Sequence, residues 1–142
     1  MIRQYQPTDL NDVLHCWETA SALAHPFLSE EFQTQERQNI ANIYLPNADT
    51  WVWQAKEKNA VEGFIALIGN EVGGLFVAAD SHRQGIGQAL IKHAQTLHNE
   101  LEVEVFQANQ IGRAFYTKVG FAPQEEKVHE QTGQQVLRLR LA

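Results

Sequence analysis

The stretch Leu75-Phe76-Val77-Ala78-Ala79-Asp80-Ser81-His82-Arg83-Gln84-Gly85-Ile86-Gly87-Gln88-Ala89-Leu90 holds the residues whose types and spacing best suit chemistry. Leu75, Phe76 and Val77 end an apolar, strand-like run, and from Gly85 onward the apolar period becomes helical. The first turn of a helix presents N–H groups with no intrahelical acceptor and about half a positive charge, so a loop that delivers such a turn is a ready anion site. Gly85 and Gly87 carry no side chain to hold a phosphate off the backbone, and Arg83 adds a formal charge at the rim. A dinucleotide fingerprint would need a third glycine where Leu90 stands, and the P-loop pattern is absent, so neither nucleotide motif fits. The bland alternative is an ordinary loop–helix junction that happens to contain two glycines.

A second cluster is Asn109-Gln110-Ile111-Gly112-Arg113-Ala114-Phe115-Tyr116-Thr117-Lys118-Val119-Gly120-Phe121. Asn109 suits a helix N-cap, and Tyr116 carries a hydroxyl on a helix otherwise built for packing. Elsewhere the chemistry thins out. The 6 histidines include no H-x-x-x-H or H-E-x-x-H pair, so no metal site is expected. No Gly-x-Ser-x-Gly elbow occurs, and Cys16 beside Trp17 reads as core. His15, His93, His98 and His129 fall within or beside expected elements and read as surface or packing residues.

These residues must be held by a framework, and the apolar periods outline one. Ile2 to Gln6 is strand-like. Leu10, Val13, Leu14, Trp17, Ala20 and Ala24 recur at helical spacing, with Thr8 or Asp9 as N-cap, and His25-Pro26 ends the helix. Ser29 caps a second helix with Glu30 and Glu31 in its first turn, an apolar face of Phe32, Ile40, Ile43 and Tyr44, and Pro46 at its close. Thr50 to Ala55, Val61 to Ile68 and Val72 to Ala78 read as an antiparallel meander, the first two joined by Lys56-Glu57-Lys58-Asn59. Gly73-Gly74 inside the third strand predicts a bulge or a close approach to the backbone. Ile86, Leu90, Ala94, Leu97 and Leu101 form the stripe of the next helix. A strand over Val103 to Phe106 follows, then a helix over Asn109 to Val119 stopped by Gly120, and a hairpin of Phe121 to Val128 with Gln135 to Leu141. The expected class is α/β (α+β): one domain over residues 1–142, with a mixed, mainly antiparallel sheet.

Composition narrows the partners. A formal charge of −6 disfavours nucleic acid and anionic membranes as main partners. No apolar run approaches the ~20 residues of a membrane span, and no signal peptide precedes the first strand. A single cysteine fits a reducing cytoplasm.

With both clusters in view, the chain resembles the GNAT superfamily of N-acetyltransferases along essentially its whole length. The family loop reads (Arg/Gln)-x-x-Gly-x-(Gly/Ala), and a later Asn…Phe-Tyr-x-x-x-Gly-Phe follows in the same order. The His25-Pro26-Phe27-Leu28-Ser29 segment is similar to the small YjaB-type acetyltransferases of bacteria. Two positions depart: His82 stands where the family has Arg or Gln, and Gly112 where it has a small alanine.

The resemblance implies a sheet of about seven strands splayed at its middle, with about four helices. It implies acetyl-CoA as cosubstrate, bound by Leu75, Phe76, Val77, Arg83, Gln84, Gly85, Ile86, Gly87, Gln88 and Asn109, with no metal. A backbone N–H near Val77 would polarise the acyl carbonyl, and Tyr116 would donate a proton to the departing thiolate. Trp17, His25 and Phe27 would line the pocket of the amine acceptor: a small metabolite, a peptide N-terminus or a lysine. His25 and Glu71 are the side chains to consider as general base. For Tyr116, Trp17 and Phe27 the competing role is plain packing. A noncatalytic acyl-CoA-binding module is the other reading, and Tyr116→Phe separates the two, because only an enzyme loses turnover. A monomer and a homodimer are both compatible; Gln135 to Leu141 is a possible pairing edge, with Arg138 and Arg140 there to discourage it.

Overall fold

The computed structural model describes residues 1–57 and 59–142. The chain runs β1 (Ile2–Gln4), α1 (Leu10–Ala24), α2 (Glu30–Asn39), α3 (Leu45–Asn47), β2 (Asp49–Gln54), β3 (Val61–Ile68), β4 (Glu71–Val77), α4 (Ile86–Leu97), β5 (Leu101–Phe106), α5 (Gln110–Val119), β6 (Ala122–Val128) and β7 (Gln135–Leu141). The strands form one 7-stranded sheet in the order β1-β2-β3-β4-β5-β7-β6. Every adjacent pair is antiparallel except β4 and β5. This is the expected mixed sheet, with α3 no more than a single turn. Lys58, in the turn expected between β2 and β3, lies outside the described residues.

The sheet separates two cores. On one face α1 lays Val13, Leu14 and Trp17 against Val52, Phe64 and Phe76. On the other, Ile86, Leu90 and Ala94 of α4 and Tyr116 of α5 pack on Ile65, Val103, Val105 and Leu139. Each fully buried Leu or Ile contributes roughly 1.5–3 kcal/mol, so these stripes hold the helices on the sheet.

Four local expectations are corrected. Asp9 does not cap α1 with its side chain: its carboxylate accepts the Gln6 N–H at 2.8 Å and pairs with Arg3 at 2.9 Å, tying the helix entry to β1. The second helix closes at Asn47, beside Pro46, but it is not a regular α-helix up to that point. It passes through a π turn at Ile40–Tyr44 into α3, leaving Ile43 and Tyr44 exposed and burying Ile40 and Leu45. Pro46 has no N–H and its ring would strike the carbonyl four residues back in a regular α-helix, and the wider turn fits around it. Leu97 is exposed, and Leu101 belongs to β5. Finally, β7 is no edge: it lies between β5 and β6, and β6 forms the edge. Arg138 instead points its guanidinium at Glu71 (3.1 Å) and Glu102 (3.2 Å).

The feature that positions the site is a bulge. Ala66 faces Gly74 while Leu67 faces Val72, so Gly73 is the extra residue of β4. β4 and β5 pair only at Glu71–Glu102 and Val72–Val103, before the bulge. Beyond it the strands diverge, leaving a V-shaped gap with its apex at Val72–Val103.

Candidate functional site

The gap opens into a cleft of about 830 Å³ that passes through the sheet. On the α4/α5 side its wall includes Gly85, Gly87, Gln88 and Tyr116; on the α1 side it includes Trp17 and His25.

Backbone polarity along β4 follows from its pairing. Ala78 N–H donates to Glu62 O of β3 at 2.9 Å. Polar groups alternate sides along an antiparallel strand, so Leu75 and Val77 direct theirs away from β3, into the gap. The Val77 carbonyl is taken by His82, whose Nε2–H donates to it at 2.8 Å. The N–H groups of Leu75 and Val77 and the Leu75 carbonyl face the cleft as an unpaired strand edge. His82, at the departure from the family loop, therefore works as a backbone clasp that folds the loop onto the end of β4.

At the end of that loop Gly85 sits in the left-handed region (φ 78), where glycine is at ease, and no side chain caps α4. The first-turn amides are left free for an anion. Arg83 also has a positive φ, 66, and stands on the cleft wall. Gly87 has a further reason to be glycine: a Cβ there would lie 3.1 Å from the Phe115 ring. Gln84 is exposed and lies off the wall.

Across the cleft, Tyr116 is buried among Phe115 and Phe121, with ring centroids 5.3 and 5.2 Å away. Its hydroxyl has no hydrogen-bond partner among the described residues, and burial raises its pKa, so it stays protonated and able to donate. Asn109 caps α5: its Oδ1 accepts the Gly112 N–H at 2.8 Å. Its Nδ2 lies 3.3 Å from His25 Nε2, and His25 Nδ1 lies 3.1 Å from Ser21 Oγ. Burial lowers the His25 pKa to about 4, so this imidazole is neutral at pH 7. Burial also pushes the Cys16 thiol up to about 12, which removes it as a nucleophile.

The strand edge beside an uncapped helix terminus suits a thioester arm with a pyrophosphate tail, and sequence comparison agrees. Residues 46–123, over half of the chain, match the acetyltransferase (GNAT) domain family. The chain belongs to the GNAT acetyltransferases. It is 34% identical over 122 residues to the Escherichia coli peptidyl-lysine N-acetyltransferase YiaC, covering 85% of this chain and 82% of that protein. Against peptidyl-lysine N-acetyltransferase YjaB of the same organism it is 32% identical over 120 residues, covering 84% and 80%. The solution structure of apo-form YjaB superposes with a TM-score of 0.87 at 28% identity, covering 99% and 95%. The PaiA N-acetyltransferase of Thermoplasma acidophilum, solved with coenzyme A, shares the fold at a TM-score of 0.75 and 19% identity, covering 97% and 96%. The chain is thus a GNAT enzyme using acetyl-CoA as acyl donor.

Within this GNAT cleft the structure gathers Leu75, Phe76, Val77, Arg83, Gly85, Ile86, Gly87, Gln88, Asn109, Tyr116, Trp17 and His25. Phe27 stands behind the wall, edge-on to His25 at 5.7 Å and to Phe106 at 5.6 Å. Glu71 lies at the apex in its ion pair with Arg138, off the cleft wall. One histidine read from the sequence as a surface or packing residue, His129, also reaches the cleft. It lines the cleft from the β6–β7 turn, its ring 5.4 Å from Phe106 and 6.0 Å from Phe32, with Nδ1 3.0 Å from Thr132 Oγ1. No local signal marks it, because its place depends on how the hairpin folds back over α2. Among the described groups, the classes of group that could bind a metal form no cluster.

Proposed function

We propose that this GNAT enzyme acetylates the ε-amine of a lysine in a peptide or protein, working in the cytoplasm with each cleft built from one chain. The observation that carries the reading is the unpaired Leu75–Val77 edge running up to the uncapped N-terminus of α4. The acceptor class is supported by the two peptidyl-lysine N-acetyltransferases above. The α1-side wall agrees with it: aromatic rings of Trp17, Phe32 and Phe106 can take an alkyl chain, and Glu36 can draw in a cation.

In this reading the amides of Ile86, Gly87 and Gln88 and the guanidinium of Arg83 bind the pyrophosphate, and Gln84 stays at the rim. The edge of Leu75 and Val77 holds the pantetheine as an added strand. Acetyl-CoA supplies an activated acyl carbonyl. The Val77 N–H faces the place where charge develops on its oxygen, and such a donor is worth roughly 10²–10³ in rate. Tyr116 gives its proton to the leaving sulfur. His129 offers an open Nε2 on the acceptor side and takes the ammonium proton.

Two peptides, one with an internal lysine and a blocked N-terminus and one with a free N-terminus and no lysine, test this when incubated with acetyl-CoA and read by mass spectrometry. Acetylation confined to the lysine peptide is expected, with the Tyr116→Phe rate down about 10²-fold or more while acetyl-CoA still raises the melting temperature. Acetylation of the N-terminal peptide alone would overturn the acceptor class, and an undiminished Tyr116→Phe would overturn the proton donor.

A further inference from the structure

We propose that His25 is a positioning residue: held between Asn109 and Ser21, its ring straps α1 to the N-terminus of α5 across the open end of the cleft and so sets where Tyr116 stands.

The two arms of the sheet meet directly only at the apex, where Val72 pairs with Val103 and Arg138 reaches over β5 to Glu71. At the other end Phe76 belongs to one arm and Phe106 to the other. The His25 ring lies between them, with centroids 6.5 Å from Phe76 and 5.3 Å from Phe106. Its hydrogen bonds have a direction that chemistry decides. Asn109 Oδ1 accepts the Gly112 N–H, so the amide group facing His25 is the NH₂, a donor. His25 Nε2 must then accept, its proton must sit on Nδ1, and Nδ1–H donates to Ser21 Oγ. Both ring nitrogens are engaged with side chains that are themselves buried, Ser21 at 1% exposure and Asn109 at 7%. A general base needs a lone pair open to the acceptor, and His25 has none.

A second feature points the same way. A Cβ at Gly112 would come within 2.5 Å of Asn109 Nδ2. With glycine there, the amide can hold the rotamer that caps α5 and reaches His25 at once. Asn109 begins α5 and Tyr116 lies on the same helix, so the strap acts on the hydroxyl through a rigid element. Misplacing a reacting group by about 1 Å can cost roughly 10²-fold in rate.

This inference rests on Tyr116 as proton donor, and its test keeps the two apart. Three variants, His25→Leu, His25→Gln and Asn109→Ser, are compared with wild type for lysine-peptide acetylation and for histidine ¹⁵N chemical shifts. Gln keeps an acceptor near the Nε2 position but cannot act as a base; Ser keeps the helix cap but removes the donor to His25. The NMR arm is expected to show wild-type His25 as the Nδ1–H form at pH 7, with Asn109→Ser releasing it. Kinetically, His25→Leu and Asn109→Ser are each expected to lower kcat about tenfold or more, with the KM for acetyl-CoA little moved in His25→Leu. Their double variant should lose no more than either alone, and His25→Gln should recover most of the loss. Equal losses in Leu and Gln with a displaced acidic limb of the pH profile would make His25 the base and overturn the proposal. An Nε2–H wild-type tautomer, or losses that multiply in the double variant, would overturn it too. Should His25→Leu fail to fold, Asn109→Ser and the tautomer decide alone. If Tyr116→Phe proves undiminished, the tautomer still reports on the strap, so the two failures are distinguishable.

Discussion

Replacing Gly112 with alanine sets two well-calibrated effects against each other. Gly112 lies in the first turn of α5, and exchanging a helical glycine for alanine ordinarily gains up to ~1 kcal/mol. Here the new Cβ would lie 2.5 Å from Asn109 Nδ2, 3.0 Å from its Cγ and 3.2 Å from its Oδ1. A flexible side chain would swing aside cheaply, but this one is pinned at both ends, by the Gly112 N–H at 2.8 Å and His25 at 3.3 Å. Moving it forfeits a cap worth about 1 kcal/mol and leaves a buried imidazole acceptor unpaired, at about 1–3 kcal/mol. The losses exceed the gain, for a net destabilisation of about 2 kcal/mol, or a fall in melting temperature of roughly 5–10 °C. Calorimetry on Gly112→Ala measures it, and the same change in an Asn109→Ala background supplies the control. With the amide gone, the three atoms nearest the new Cβ are removed and alanine should stabilise. A rise in melting temperature for the single variant, or the same sign in both backgrounds, would refute the reasoning.

Four further outcomes follow from the geometry. His25 titrates near 6.5 when unfolded and at about 4 when folded, so the unfolded chain binds more protons between those values. Its contribution is complete above pH 6.5 and declines as pH falls toward 4, costing wild type roughly 2 kcal/mol between pH 7 and 5; the difference in denaturant midpoints between wild type and His25→Gln over that range isolates it. Arg83→Glu should weaken acetyl-CoA binding about tenfold or more at low salt, with the deficit shrinking as salt rises, as titration calorimetry can follow. His129→Gln should lower kcat about 10²-fold without reducing stabilisation by acetyl-CoA. Tyr116→Phe should likewise keep its acetyl-CoA stabilisation in thermal melts while losing turnover.

Local information in the chain was enough for most of the scaffold. The helical periods beginning at Leu10 and Gly85, the meander through Val61 and Val72, the Gly73 bulge and the Ser29 and Asn109 caps are all legible, because each depends on neighbours a few residues away. The uncapped helix start at Gly85–Gly87 was legible for the same reason: a helix terminus is local. What depends on segments far apart in sequence was not. Pro46 marked the close of the second helix to within a residue, at Asn47, but nothing local marked the π turn at Ile40–Tyr44 that leads into it, where Ile40 and Leu45 are buried. Arg138 and Arg140 looked like guards on an outer strand, yet β7 lies inside the sheet, and Arg138 serves ion pairs across β5. His25 and His129 are alike as isolated residues. Only the tertiary structure distinguishes them, since it binds both nitrogens of one between Asn109 and Ser21 and leaves Nε2 of the other open on the cleft wall, and a histidine's chemistry is decided by what its lone pair and its proton meet.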